Sequence, residues 1–288
     1  MKPAPFEYFD PRTVDEAIIL LESHGDEAKV LAGGQSLVPM LALRLARPSV
    51  VIDVNRVTGL DGVRQNGTAL SVGALVRQQT LERWAAERAP LLTTALRHVG
   101  HAPIRTRGTV AGSVVHADPA SELPALRLSL HGAVVARSRR GTRTIAAGEF
   151  FQGPLMTALA PDELVTETRW TLPPPHAGWG FHEMARRQGD FALVGVSAVL
   201  SVARGRVVDA RIAVFGAAST PLRARDAERA LTGHAASEAT LAEAARLATA
   251  GLEAVSDIHA PAAYRASVTR TLTARALTDA AARAKDAA

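Results

Sequence analysis

The sequence predicts an α+β protein: an N-terminal region of two α/β units, followed by a C-terminal domain of strands and helices. Three observations carry this. In the first third, short β-branched runs alternate with helical apolar patterns, which is how an α/β unit reads. Pro173-Pro174-Pro175 then interrupts the chain; successive prolines stay extended and supply no ladder donors. Beyond them, paired strand patterns give way to helices alone. The expected boundaries are 1–175 for the first domain, divided near Asn55 into 1–55 and 56–175, and 176–288 for the second. No repeat of fixed period is present.

The elements follow in order. Thr13-Val14-Asp15-Glu16 is a capping box that opens a helix carrying Ala17, Leu20, Leu21 and His24 at helical spacing and stopping at Gly25. Ala28 to Ala32 is a short strand, running into Gly33-Gly34-Gln35-Ser36. Leu37 to Leu45 is a helix, closed by Pro48, and Val50 to Val54 is a strand. Leu70 to Ala74 is a strand; Thr80 to Arg88 and Pro90 to Val99 are helices, the second with Pro at its start and Gly100 at its stop. His101 to Pro124 reads as a long irregular segment, functional rather than disordered because Val110, Val114 and Val115 lie in it. Ala133 to Ala136 and Thr142 to Ala146 form a hairpin, and Glu163 to Leu172 a strand. Past the prolines, Phe191 to Val202 pairs with Arg206 to Phe215, whose Val208, Ala210, Ile212 and Val214 share one face. Helices over Leu222 to Leu231, Glu238 to Leu252, and Ala262 to the end complete the chain.

Composition excludes several roles. Aromatics are 4% of the chain, so the cores must rest on Ala, Val and Leu. Lys2, Lys29 and Lys285 are the only lysines among 33 basic residues; the rest are Arg, and the net charge is +5. The dense cluster Arg137, Arg139, Arg140 and Arg143 around Gly141 reads as a solvated hairpin turn or as a contact for an acidic partner. No aromatic residues interleave it, so no nucleic-acid partner is expected. The chain has no cysteine, which rules out a thiolate-held iron–sulfur cluster and fits a reducing compartment. The first residues, with Pro3, Pro5 and Glu7, are no secretory signal. The longest mostly apolar stretch, Phe191 to Ala203, is shorter than the ~20 residues of a membrane span. A cytoplasmic protein without a membrane span is the expectation.

The chemistry concentrates in two glycine segments. In Ala32-Gly33-Gly34-Gln35-Ser36 a strand stops at paired glycines and turns into a helix, presenting bare backbone N–H groups that favour a phosphate. Ser36 adds a hydroxyl. The same pattern also serves as a plain tight turn, and it is not the G-x-G-x-x-G of a nicotinamide site. The second segment is Arg105 to Pro124, R-T-R-G-T-V-A-G-S-V-V-H-A-D-P-A-S-E-L-P. Gly108, Gly112 and Ser113 offer backbone, Thr109 and Ser113 offer hydroxyls, and Asp118 and Glu122 can accept from sugar hydroxyls; a surface loop with a capped turn is the plainer reading. His116 and Asp118 are too few ligands for a metal site, and none is expected. Two such segments suit a dinucleotide, whose pyrophosphate needs donors from more than one side.

At these residues the sequence resembles the medium, FAD-binding subunit of the molybdenum-containing hydroxylases, the aerobic carbon monoxide dehydrogenase and xanthine dehydrogenase group. The resemblance runs through nearly the whole chain: Lys2 to Tyr8; L-A-G-G-Q-S-L-V-P-M from Leu31 to Met40; Arg44 to Pro48; Arg97 to His101; the second segment; G-F-H-E-M-A-R-R-Q-G-D-F-A-L-V-G-V from Gly180 to Val196; and Thr220 to Ala224. It implies a flavin domain of PCMH type rather than a Rossmann fold, then a C-terminal flavoprotein domain. It implies that Ala32, Gly33, Gly34, Gln35, Ser36 and Leu37, with Thr109, Ala111, Gly112 and Ser113, flank the FAD pyrophosphate. Asp118 and Glu122 would lie toward the nucleotide, Leu164 beside the flavin ring, and Phe181 and His182 where the C-terminal domain reaches the flavin. Ala111 departs from the family's usual glycine; its methyl fits if φ is negative and is strained by ~1–2 kcal/mol if φ is positive. Thr106 replaces a more usual Asn.

The resemblance further implies a small iron–sulfur subunit and a large molybdenum-cofactor subunit, as a dimer of heterotrimers, with substrate oxidised on the large one. FAD then passes electrons to an external acceptor, and no catalytic acid or base is assigned here; His98, His101, His116 and His182 are read as structural. Two rivals stand beside this. A self-contained flavin oxidase would turn over alone, with a base such as His101. A nucleotide- or carotenoid-binding module without flavin would purify lacking flavin absorption.

Overall fold

The computed structural model describes residues 2–287. The chain opens with β1 (Glu7–Phe9), α1 (Val14–His24), β2 (Ala28–Leu31), α2 (Leu37–Ala42) and β3 (Val50–Asp53). β3 lies between β1 and β2 and is parallel to both. Parallel neighbours need a crossover, and α2 supplies the one from β2 to β3. The Thr13 hydroxyl accepts from the Glu16 N–H at 3.2 Å, while the Glu16 carboxylate accepts from the Arg12 N–H at 2.7 Å, one residue before the cap. Gly25, at φ +50°, ends α1. α2 is shorter than its apolar pattern predicts, because Arg44 adopts φ +57° and turns the chain toward β3.

The second unit holds β4 (Val63–Asn66), β5 (Ala69–Gly73), α3 (Gln78–Ala85), α4 (Pro90–His98), α5 (Ala102–Arg107), α6 (Val110–His116), α7 (Glu122–Ser129), β6 (Ala133–Ser138), β7 (Gly141–Ala146), α8 (Ala147–Phe150), β8 (Phe151–Gly153), β9 (Met156–Thr157) and β10 (Leu164–Thr171). Its main sheet is antiparallel throughout, ordered β4-β5-β10-β6-β7. α4 buries Leu91, Leu92, Ala95 and Leu96 along one stripe; burying each leucine contributes ~1.5–3 kcal/mol. The segment from His101 to Pro124 is not irregular: it forms α5, α6 and the start of α7. Its Pro, Thr and Ser sit at helix starts, with Pro103 in the first turn of α5, Thr109 capping α6 and Ser121 at the N-cap of α7. The arginine cluster is a hairpin turn whose charges pair within the chain: Arg137 with Asp15, Arg139 with Glu22, Arg140 with Asp162 and Arg143 with Glu163.

The third unit contains β11 (Gly178–Ala185), β12 (Ala192–Ala203), β13 (Arg206–Phe215), β14 (Leu222–Arg223), α9 (Arg225–Leu231), α10 (Glu238–Leu247), α11 (Ala262–Arg283) and β15 (Asp286–Ala287). Its sheet runs β11-β12-β13-β14, with β15 against β12. Val208 is exposed and Val207 buried, contrary to the alternation expected from sequence, because the β12–β13 register shifts between Ser201 and Val202. One face of the sheet packs on the three helices around Val194, Val196, Ile212 and Leu277. From the other, Phe181, Val199, Ala213 and Phe215 join the core of the first two units. α7, buried along its whole length, lies in that seam against β12 and β13. The Ser129 and Ser197 hydroxyls meet there at 2.9 Å, and the Gly216 N–H donates to the Pro119 carbonyl at 2.8 Å. Among the described residues no helix is long and apolar enough to cross a membrane.

Candidate functional site

The first glycine loop joins β2 to α2, and the second joins α5 to α6. They touch. A Cβ built on Gly33 would stand 2.6 Å from the Arg107 carbonyl oxygen, 2.7 Å from Gly108 Cα and 2.9 Å from the Thr109 nitrogen, so only glycine allows this approach. A polar strut locks the two together. Asn55 Nδ2 donates to the Ala32 carbonyl at 2.8 Å, Arg77 donates to Asn55 Oδ1 at 2.7 Å, and the same guanidinium donates to the Arg107 carbonyl at 2.6 Å. Burial, with Arg107 close by, lowers the pKa of Arg77. Neither Asn55 nor Arg77 was singled out as a site residue from sequence. Asn55 carried one usable signal: it follows a parallel strand at its C-terminal end, where α/β sheets place their ligands.

The loops carry donors that the fold leaves unused. Among the described residues, no hydrogen bond is formed by the backbone N–H of Gly34, Gln35, Ser36, Leu37 or Ala111. Gly34 holds φ +72°. Gln35 folds back, Nε2 donating to the Gly33 carbonyl at 3.0 Å, and the Ser36 side chain makes no cap bond. Thr109 caps α6 by accepting from the Gly112 N–H at 3.0 Å, and a Cβ on Gly112 would stand 2.6 Å from that hydroxyl. Ala111 is helical, has no positive φ, and buries its methyl in the first core. The departure at Ala111 therefore carries no strain. The four free amides of the first loop, with that of Ala111 in the second, are available to an anion, and these residues fit an FAD pyrophosphate.

The remaining residues fall around this centre. Leu164 is buried at the start of β10, against which α6 packs. Asp118 caps a turn, Oδ1 accepting from the Ala120 N–H at 2.8 Å. Glu122 opens α7 and is only 6% exposed; burial pushes its carboxyl up to about 7, Asp118 adding to the shift while its own backbone N–H and Arg105 oppose it. Burial lowers the pKa of His116, against the pull of Asp118. Phe181 reaches the first core, its ring 5.1 Å from His98 and 5.9 Å from Phe215. His182 is on the opposite face of β11, its Nε2 3.3 Å from Asp279 Oδ2 on α11. The structure thus brings 32–37 and 109–113 together and seats Leu164 and Glu122 on adjoining elements, while His182 points toward α11. A cavity of about 650 Å³ lies in the seam beside Asp118, lined by Arg186, Asp190, Asp257 and Arg265 among others. Among the described residues no cluster of three or more His, Cys, Asp or Glu is placed to hold a metal.

Residues 4–173 match the family described as FAD binding domain in molybdopterin dehydrogenase, and residues 179–280 the family described as CO dehydrogenase flavoprotein C-terminal domain. The nicotine 6-hydroxylase medium subunit of Paenarthrobacter nicotinovorans is 41% identical over 98% of this chain and 100% of its own. The carbon monoxide dehydrogenase medium chain of Afipia carboxidovorans is 34% identical over 99% of this chain and 100% of its own. Among solved structures, a chain of the Hydrogenophaga pseudoflava carbon monoxide dehydrogenase superposes with a TM-score of 0.96 at 36% identity, covering 99% of this chain and 100% of that one.

Proposed function

Because the chain belongs to the family of FAD-binding medium subunits of molybdenum hydroxylases, we propose that it carries electrons from a partner's iron–sulfur clusters, through FAD, to an external acceptor. The reading divides the chain into an FAD-binding domain at 1–175, with subdomains near 1–55 and 56–175, and a C-terminal domain at 176–288. Residues 32–37 and 109–113 hold the pyrophosphate through the backbone N–H groups left free at 34–37 and at Ala111, and through the Ser36, Thr109 and Ser113 hydroxyls. Asn55 and Arg77 keep the loops at the spacing that binding needs. Asp118 and Glu122 face the nucleotide, and Leu164 packs beside the ring; His182 supports the approach of β11 through Asp279. When bound, the flavin accepts electrons singly and releases them as a pair, which suits a junction between one-electron clusters and a two-electron acceptor.

The absence of cysteine supports placing the clusters on a partner. The reading makes that partner a small subunit, puts the molybdenum cofactor and substrate pocket on a large one, and places the complex, a dimer of heterotrimers, in the cytoplasm. The observation that carries the proposal is the contact of two glycine loops, with the backbone N–H groups of residues 34–37 and of Ala111 left without an internal partner. The test is flavin stoichiometry in the purified protein, by absorbance, for wild type and Gly34→Val. Gly34 sits at φ +72° with Val38 and Leu31 side-chain atoms 3.1 and 3.2 Å from its Cβ position. Flavin lost in the variant while its far-UV circular dichroism stays native supports the assignment; a wild-type flavin content in the variant refutes it.

A further inference from the structure

Among the described residues no hydrogen bond passes directly between the two glycine loops. The link is the strut of Asn55 and Arg77. It ends on the carbonyl that precedes each glycine turn, Ala32 before Gly33 and Arg107 before Gly108. Each carbonyl shares a planar peptide with the glycine N–H that follows, so holding the oxygen sets the tilt of the turn. The second loop is also fixed by backbone: the Gln78 N–H donates to the Gly108 carbonyl at 2.8 Å, and the Val110 N–H to the Val76 carbonyl at 3.0 Å. The first loop leaves its sheet at Leu31, so beyond the close approach at Gly33 the strut is what ties it to the second.

The strut has an anchor outside both loops. Asp53 ends β3, the central strand of the first sheet. Its Oδ1 accepts from the Asn55 backbone N–H at 2.9 Å and from Asn55 Nδ2 at 2.6 Å. The amide of Asn55 is then fully used, with one N–H on Asp53, the other on Ala32 and its oxygen on Arg77. Ala32 belongs to the first loop and Arg77 grips the second, so Asp53 is the partner that stands on the sheet. A cap on the turn after β3 needs one carboxylate oxygen. The other, Oδ2, accepts from the Tyr8 hydroxyl at 2.7 Å, from β1 and 45 residues away. Tyr8 is 54% exposed, so its ring is not there to fill a core. Arg56, the neighbouring cation, is paired with Asp10 at 2.6 Å.

We propose that Tyr8 and Asp53 are positioning residues for the diphosphate of FAD: the hydroxyl pins the carboxylate, the carboxylate pins Asn55, and Asn55 with Arg77 fixes the separation of the two glycine loops. The inference rests on FAD occupying those loops. Neither residue touches the ligand; both act through Asn55.

The FAD affinity of the full-length chain, from flavin fluorescence released on dilution, tests this, with thermal melting followed alongside. Asp53→Ala is expected to weaken FAD binding about tenfold and Tyr8→Phe about threefold. In the Asp53→Ala background Tyr8→Phe costs nothing further, because the hydroxyl acts through the carboxylate. Asp53→Asn stays within about twofold of wild type, since its carbonyl oxygen still accepts from Asn55 and its NH2 donates to the Tyr8 oxygen. If the two residues merely brace the sheet, the variants melt lower but keep wild-type affinity, and that result overturns the proposal. Tighter binding by Asp53→Asn overturns it too, by making the carboxylate no more than a charge near the phosphates. Should Asp53→Ala not fold, Tyr8→Phe, on an exposed side chain, and Asp53→Asn decide. A wild-type chain that binds no FAD overturns the glycine-loop reading itself. Binding that Gly34→Val abolishes, but that Tyr8→Phe and Asp53→Ala leave intact, overturns the anchor and spares that reading.

Discussion

A methyl group decides the geometry at Gly33. Its Cβ would meet three backbone atoms of the facing loop at 2.6–2.9 Å, and backbone cannot rotate aside as a side chain can. Gly33→Ala is expected to spread the loops and weaken FAD binding about tenfold, ~1.4 kcal/mol, read as FAD retained per chain after gel filtration. Ala111→Gly is the control: Ala111 is helical with negative φ, so the change keeps FAD and costs ~0.5–1 kcal/mol of stability from helix propensity. Arg127 is the opposite case. It is fully buried between Phe150 and Trp170, none of its guanidinium nitrogens has a partner, and burial lowers its pKa to about 9. Arg127→Met fills a similar volume without the desolvated charge and is expected to raise stability by ~1–4 kcal/mol in chemical denaturation; a lower midpoint refutes this account. Glu183 on β11, its side chain 3% exposed, makes stability depend on pH: burial, then the Glu122 carboxylate, pushes it up to about 9. Below its ordinary value of 4.5 the carboxyl is protonated folded or unfolded. Between 4.5 and about 9 only the folded state keeps the proton, so stability falls as pH rises through that window. Glu183→Gln flattens the slope, leaving the part that Glu122, pushed up to about 7, adds below that pH; its advantage over wild type widens with pH, and parallel profiles refute a buried acid at this position.

At the scale of elements, what could be read from sequence depends on whether the signal was local. The capping box at Thr13 and the Pro start of α4 are complete within a few residues, and both elements form where expected. The hairpin at Gly141 and the parallel β2–α2–β3 unit were equally legible. The segment from His101 to Pro124 misled because Pro, Thr and Ser serve helix starts as readily as loops, and its helices are too short to show a 3.6-residue period. β11 went unassigned because Gly178 and Gly180 weaken any strand pattern; their purpose is tertiary. Their Cβ positions would stand 1.8 Å from the Ala280 carbonyl and 2.1 Å from that of Ala276, so the bare strand lets α11 lie directly on the sheet. Gly180→Ala is therefore expected to cost ~1–3 kcal/mol or more of stability, as overpacking against backbone does, measured by thermal unfolding. Of the site, the two glycine motifs were visible because each is contiguous. The Asn55–Arg77 strut was not, since it is assembled across 22 residues of chain.

At the scale of the whole molecule, charge and composition set what the chain does alone. The four hairpin arginines each pair with an acid of the same chain, and where both partners are exposed solvent screens most of the gain. They neutralise the turn, so the basic balance of the protein is not an argument for a polyanionic partner. The missing cysteines bear more directly on function, because a flavin placed to receive single electrons needs a one-electron donor within reach. This chain has no thiolate to hold a cluster, so under the proposed function the donor would sit on another subunit. The purified chain is thus expected to be yellow and free of iron by metal analysis, and unable to pass electrons from any hydroxylase substrate to an acceptor dye. Adding the small and large partners restores that activity, whereas adding either one alone does not, since one lacks the substrate centre and the other the relay. Steady turnover by this chain alone, at a rate comparable to the complex, would mean that it holds its own substrate site and is an oxidase in its own right.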